Sequence, residues 1–280
     1  MAATIIDGKA LAAKCKGKIQ CEVEALHSKP GLAVIIVGDN PASRVYVTSK
    51  ERDCAECGIY SEEYALLEST KQEELLALIA QLNGQANIDG ILVQLPLPKG
   101  FDEKVVIEAI APDKDVDCFH PYNVGRLMTG ETGFLPCTPA GVMEMLDEYG
   151  IDPKGKHCVI VGRSNIVGKP QAMLMLRRDA TVTICHSKTP DLGAVTRTAD
   201  ILVAAVGKCG LITADMVKPG AVVIDVAMNH NAEGKLCGDV SFPEVADKAS
   251  YITPVPGGVG PMTRVMLLQN TLTAARAHGK

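Results

Sequence analysis

Short apolar runs alternate with helix-period segments along the whole 280-residue chain, and no other feature constrains the fold as strongly. Leu32–Val37 and Ile91–Val93 read as buried strands in the first half. Runs near 157–161, 181–185, 201–206 and 221–226 do so in the second. Between them Leu11, Cys15, Ile19, Val23 and Leu26 recur at helical spacing, and Ala42–Cys57 and Leu75–Leu82 read as further helices. Strands that alternate with helices are joined by crossovers, which demand largely parallel sheets. The expected class is therefore α/β. The length is generous for one core and suits two domains. A segment rich in Pro, Gly and Asp, Pro112–Pro139, reads as a linker flanking a cleft. Thr138-Pro139 predicts an N-cap and first helical residue, opening a helix that runs to about Tyr149. The last helix is expected over Met262–Ala277.

Composition narrows the partners. A formal charge of -5 disfavours duplex nucleic acid, which requires a basic face, while leaving room for a small anion held by local cations. Hydrophobic residues make up 47% of the chain, ample for two cores, yet no run reaches membrane-spanning length. The ten cysteines are scattered singly through apolar segments, as free thiols in a reducing compartment would be. A cytoplasmic protein without membrane association is expected.

Three polar signals punctuate this framework. Tyr46-Val47-Thr48-Ser49-Lys50 sets a phenol and an amine one turn apart on a single helix face. Gln94-Leu95-Pro96-Leu97-Pro98 leaves the strand that ends at Val93, and neither proline can continue a ladder. Ligands of open α/β sheets bind outside the carboxyl ends of strands, so Gln94 is either a ligand-facing amide or a turn cap. Near the end lies Pro254-Val255-Pro256-Gly257-Gly258-Val259-Gly260-Pro261.

Gly162-Arg163-Ser164-Asn165-Ile166-Val167-Gly168 follows the apolar run Val159–Val161 as a phosphate-binding turn follows a Rossmann strand, although Ser164 stands where a second glycine is usual. NAD-preferring sites place a carboxylate roughly 20 residues onward, at the end of the next strand. Here Thr181–Cys185 is followed by His186-Ser187-Lys188. With Arg163 and Ser187 available to a phosphate, this pattern predicts NADP over NAD.

Taken in order, Tyr46-x-x-x-Lys50, Val93–Pro98, Lys114–Asp117, Pro136–Pro139, Gly162-Arg163-Ser164 and Pro254–Thr263 resemble the bifunctional methylenetetrahydrofolate dehydrogenase/methenyltetrahydrofolate cyclohydrolase family, over essentially the whole chain. The resemblance implies oxidation of 5,10-methylenetetrahydrofolate with NADP, then hydrolysis of the methenyl product to 10-formyltetrahydrofolate. It implies a catalytic folate-binding domain over 1–138 plus 262–280 and a Rossmann-like NADP-binding domain over 139–261. The pterin would lie in the cleft between them, and the protein would be a homodimer. By motif, Lys50 would be the central catalytic group, Gln94 its hydrogen-bond partner, Tyr46 a surface along the folate rings and Asp117 the acceptor for the pterin amino edge. Val93, Leu95, Pro256, Gly257, Gly258, Val259 and Gly260 would complete the folate site. Gly162, Arg163, Ser164, Ser187 and Met228 would contact the nucleotide.

Other readings weigh less. Tyr-x-x-x-Lys also marks short-chain dehydrogenases, but there it follows the glycine-rich turn instead of preceding it. Cys54-x-x-Cys57 has no second ligand pair nearby, and His120, His186 and His230 are widely spread, so no metal is expected. A monofunctional dehydrogenase of the same fold and a non-catalytic nucleotide- or folate-binding protein stay open as alternatives. Two positions depart from the family pattern: Cys118 stands where glycine is common, and Ala227-Met228 replaces a Gly-Ile pair.

Overall fold

The computed structural model describes residues 3–131 and 133–280. In chain order the elements are β1 (Thr4–Ile5), α1 (Gly8–Glu24), β2 (Gly31–Val37), α2 (Pro41–Glu56), β3 (Tyr60–Leu66), α3 (Gln72–Asn83), β4 (Gly90–Val93), α4 (Glu103–Ala109), α5 (Pro121–Thr129) and α6 (Cys137–Glu148). Then follow β5 (His157–Val161), α7 (Gly168–Leu176), β6 (Thr181–Cys185), α8 (Leu192–Thr196), β7 (Ile201–Ala204), β8 (Val222–Asp225), β9 (Asn229–His230), β10 (Leu236–Cys237), α9 (Phe242–Ala246), β11 (Tyr251–Ile252) and α10 (Val259–Ala277). The chain divides into two compact units. One comprises Lys14–Leu135 with Arg264–Lys280; the other comprises Pro136–Thr263 with Met1–Ala13, whose first two residues lie outside the described set.

The first unit is built on a three-stranded parallel sheet, ordered β3-β2-β4. Every residue of β2 is buried, as befits a central strand of a parallel sheet, and its sequence is accordingly a continuous apolar run. Ile35, Leu75, Ile79, Leu82, Ile91 and Val106 share one core cluster. The expected linker is not an open loop. Asp115 bridges to Ile91, and its buried carboxylate accepts from the backbone N–H groups of Phe119 (3.1 Å) and His120 (2.9 Å) and from Asn123 Nδ2 (2.8 Å), which fixes the start of α5. Burial raises the Asp115 pKa, against the lowering effect of these hydrogen bonds. Lys114 turns inward and donates to the carbonyls of Leu82 (3.1 Å) and Gln85 (2.7 Å), satisfying acceptors at the end of α3.

The second unit carries a six-stranded parallel sheet, ordered β1-β11-β8-β7-β5-β6, beside the small antiparallel hairpin β9–β10. From β5 the chain moves outward to β6 and then crosses back to β7 on the other side of β5. This is the Rossmann-type reversal of strand order, and in such sheets the crevice outside the carboxyl ends of the two diverging strands is where ligands bind. Thr4 and Ile5 pair with Tyr251 and Ile252, so the first residues extend this sheet, whereas the sequence boundaries grouped them with 14–138. A two-residue edge strand is too short to show a period.

Three elements depart locally from expectation. α6 begins at Cys137, its N-cap is Pro136, and Thr138 caps nothing; the Thr138 hydroxyl instead meets that of Thr263 at 2.9 Å. α10 begins at Val259, inside the glycine-rich loop. β3 carries two glutamates, Glu62 and Glu63, and lacks the apolar run that marks its neighbours.

Candidate functional site

Asn40 and Pro41 open α2: the Asn40 side chain accepts from Ser43 N (3.2 Å), and proline fills the first helical position. Tyr46, Lys50, Asp53 and Cys57 then fall at i, i+4, i+7 and i+11, on one face. Opposite in the sheet, Gln94 continues β4, its N–H donating to Ile35 O at 2.8 Å, before the cis Leu95–Pro96 peptide turns the chain away. The two meet. Lys50 Nζ donates to Gln94 Oε1 at 3.0 Å, and Gln94 Nε2 donates to Leu95 O at 2.7 Å. The amide is thus oriented by the backbone, with its oxygen presented to the amine. Val93 is buried, and Leu95 is half-buried.

Beside Lys50 lies a charge cluster that the sequence did not disclose. Asp53, only 1% exposed, accepts from Lys16 Nζ at 3.1 Å and from Arg264 Nε at 2.7 Å; Lys16 also pairs with Glu56. Burial pulls the Lys16 pKa down, but its hydrogen bonds to Glu56 and Asp53 outweigh that and raise it. Tyr46 is half-buried, and burial raises its phenol pKa against the lowering charge of Arg264. The only sequence signal for this cluster was an acid three residues after Lys50 on the same helix face.

Asp117 is half-buried just beyond the Asp115 anchor. The next residue, Cys118, sits at φ 60, in the left-handed region where a glycine would be unstrained. Its N–H donates to Asp115 O at 3.0 Å and its thiol to Phe134 O at 3.3 Å, so the turn that presents Asp117 is held at both ends of Cys118.

In the other unit, the turn after β5 is a tight backbone cradle. Gly162 has φ 132, and a Cβ there would lie 2.2 Å from Ala205 O, at the end of β7. A Cβ on Gly168 would lie 2.3 Å from Gly162 O. Ser164 Oγ, where a second glycine is usual, accepts from Val167 N (3.1 Å) and Gly168 N (3.2 Å), satisfying backbone donors at the start of α7, whose N-cap is Val167. Arg163, Ser164 and Ser187 are exposed at the carboxyl ends of β5 and β6, Lys188 follows, and no carboxylate lies among residues 186–188. The close backbone approach, the helix N-terminus and the exposed cation fit a phosphorylated dinucleotide.

The far wall of that crevice is organised by two buried carboxylates. Asp239 accepts from the N–H groups of Val206 (2.6 Å), Gly207 (3.1 Å) and Lys208 (2.6 Å) and from Asn229 Nδ2 (3.0 Å). Asp225 accepts in turn from Asp239 N and Val240 N, each at 2.9 Å. Burial pushes the Asp225 carboxyl up to about 6, the neighbouring Asp239 adding to it while the backbone hydrogen bonds oppose it. Met228 is exposed nearby, and its Sδ would lie 3.2 Å from a Cβ on Gly260. The Pro256–Gly260 loop therefore joins Met228 within this unit. Gly257 O accepts from Lys9 N at 3.0 Å, which ties the loop to the start of α1. Among the described residues no cluster of three or more His, Cys, Asp or Glu side chains is arranged to hold a metal.

A Rossmann-type cradle in one unit and a lysine–amide pair at a parallel-sheet edge in the other define a nucleotide-dependent α/β enzyme. Residues 6–117 match the family model for the catalytic domain of tetrahydrofolate dehydrogenase/cyclohydrolase, and residues 136–279 match that for its NAD(P)-binding domain. The chain belongs to the tetrahydrofolate dehydrogenase/cyclohydrolase family. It is 62% identical over 277 residues to a bifunctional protein FolD of Ruminiclostridium cellulolyticum, spanning 98% of each chain. The crystal structure of the bifunctional enzyme FolD, a methylenetetrahydrofolate dehydrogenase/cyclohydrolase from Campylobacter jejuni, superposes with a TM-score of 0.97 at 53% identity, covering 99% of both chains. A Trypanosoma brucei methylenetetrahydrofolate dehydrogenase-cyclohydrolase complexed with NADP and an inhibitor superposes with a TM-score of 0.95 at 40% identity, covering 99% of this chain and 98% of that one.

Proposed function

We infer that the protein is a bifunctional enzyme that oxidises 5,10-methylenetetrahydrofolate with NADP and hydrolyses the methenyl product to 10-formyltetrahydrofolate. The observation that carries this reading is the 3.0 Å hydrogen bond from Lys50 to Gln94. The oxidation needs no strong acid or base, because the cation it leaves is delocalised over two nitrogens; the protein's task there is positioning. Gly162, Arg163, Ser164, Ser187 and Met228 would hold NADP, which would supply the hydride acceptor. Hydrolysis is more demanding, since water must add to the amidinium carbon and lose a proton.

Lys50 is the group for that proton. Beside a cationic substrate its neutral form is favoured, and a neutral amine that donates one N–H to Gln94 retains a lone pair that accepts the water's proton. Gln94 suits the amine in either protonation state of the cycle without adding charge. Asp117 offers two carboxylate oxygens to the amino and ring N–H groups of the pterin. Tyr46 supplies a flat surface one turn before Lys50. Val93 and Leu95 flank Gln94 in sequence, and the family resemblance adds Pro256, Gly257, Gly258, Val259 and Gly260 to the residues that would contact folate. On this reading the unit holding Lys50 is the catalytic folate lobe and the unit holding Gly162 is the nucleotide lobe.

The family resemblance supports a homodimer, the net charge of -5 supports a small-molecule substrate over nucleic acid, and ten free cysteines support a reducing cytoplasm. No helix among the described residues is long and apolar enough to cross a membrane.

An absorbance time course with methylenetetrahydrofolate, run separately with NADP and NAD, tests the reading. Reduction of NADP with little accumulation of the methenyl species is expected. Stoichiometric methenyl accumulation would leave a dehydrogenase alone, and no reduction with either cofactor would contradict the assignment.

A further inference from the structure

Seven of the ten cysteines are buried, and Cys21, Cys209 and Cys237 reach solvent. Cys21 stands by itself on α1. The other two face each other: Cys237 Sγ lies 2.6 Å from Cys209 Sγ, inside the contact distance of two sulfur atoms. Their backbones are held in register by an independent set of hydrogen bonds. Gly210 N donates to Gly238 O (3.2 Å), Ile212 N to Asp239 O (2.9 Å) and Ser241 N to Ile212 O (2.8 Å), and Ile212 and Val240 form a parallel bridge. The residues that follow each cysteine therefore run side by side. Nothing in the nucleotide or folate chemistry uses this pair.

We propose that Cys209 and Cys237 form a modification site, a dithiol that closes to an intramolecular disulfide by exchange with low-molecular-weight disulfides and reopens with dithiol reductants. A disulfide requires an S–S separation of about 2.05 Å, so closure asks for a contraction of only about half an ångström across a pair already aligned by its flanking ladder. Cys209 is the more exposed of the two, so it is the thiol that an external disulfide reaches first.

In the first step the Cys209 thiolate attacks one sulfur of the external disulfide, forming a mixed disulfide and releasing one thiolate. Cys237 then loses its proton to solvent and attacks Cys209 Sγ, breaking the mixed bond and releasing the second thiolate. The protein gives up two electrons and two protons, and the external disulfide is reduced to two thiols. The new bond would tie the segment after β7, which contains Val206–Lys208, to β10, and would enclose β8 and Met228 in the loop it closes. The two segments that Asp239 joins on the far wall of the crevice would then move as one.

The full-length protein, equilibrated with oxidised glutathione, alkylated and mapped by peptide mass spectrometry, provides the test. The expected product is a linked pair of peptides containing Cys209 and Cys237, lighter by two hydrogens and cleared by dithiothreitol, while Cys21 carries a single glutathione. Cys209→Ser and Cys237→Ser should each convert the remaining cysteine into a stable glutathione adduct. Stable glutathione adducts on both cysteines of the unsubstituted protein, no reaction at either, or a linkage between two chains would overturn the proposal.

Discussion

The Lys50 amine donates to Gln94 Oε1 at 3.0 Å, while the nitrogen of the same amide is committed to the Leu95 carbonyl at 2.7 Å. The lysine therefore faces a fixed, uncharged acceptor. Gln94→Glu keeps the shape and places a carboxylate there, which holds the amine in its charged form. Cyclohydrolase turnover is expected to fall by about 100-fold or more, the scale of a lost general base, with a much smaller loss in the dehydrogenase step. Parallel assays of the two reactions check this, and equal losses in both would contradict it.

Asp53 is buried between Lys16 and Arg264, which are themselves partly exposed. Asp53→Ala leaves two cations without their shared carboxylate. Removing one partner of a buried ion pair costs 3–5 kcal/mol, and partial exposure of both cations lowers the expectation to about 2–3 kcal/mol. Asp53→Asn, which preserves an acceptor, should lose less. Urea denaturation followed by circular dichroism provides the measurement, and an alanine variant as stable as the parent would remove Asp53 from this role.

Asp225 gives the fold a pH dependence opposite in sign to that of a salt-bridged acid. Its pKa rises from 3.8 to about 6 on folding, so the folded state holds its proton more tightly than the unfolded state does. The stability this confers is fully present below about pH 4 and is lost as pH climbs through about 6. The stability of the parent relative to Asp225→Asn should therefore decline across that window by on the order of 3 kcal/mol. Denaturation midpoints between pH 4 and pH 7 check the slope, and a flat difference would show that the carboxyl titrates normally.

Much of this architecture was legible because buried parallel strands write themselves as apolar runs. β2, β4 and the strands from β5 to β8 all fall where such runs do. β3 was missed because Glu62 and Glu63 interrupt it, and β1 because two residues carry no period. The segment Pro112–Pro139 looked like a linker because its anchors are polar: Asp115 and Asn123 do there what apolar side chains do elsewhere. In the candidate site, Tyr46 and Lys50 could be read from helical spacing, and Gln94 from the prolines that follow it. Asp53 with Arg264 could not, since the partners are 211 residues apart. Asp225 and Asp239 gave no signal either, because a carboxylate that serves backbone N–H groups leaves no pattern in the neighbouring residues.

Whether Lys50 carries the hydrolytic proton transfer is measured most directly by assaying Lys50→Met for both activities on folded protein. Hydrolysis of methenyltetrahydrofolate is expected to be abolished, with the circular dichroism spectrum and NADP binding unchanged. Hydrolysis at the parent rate in that variant would contradict that role.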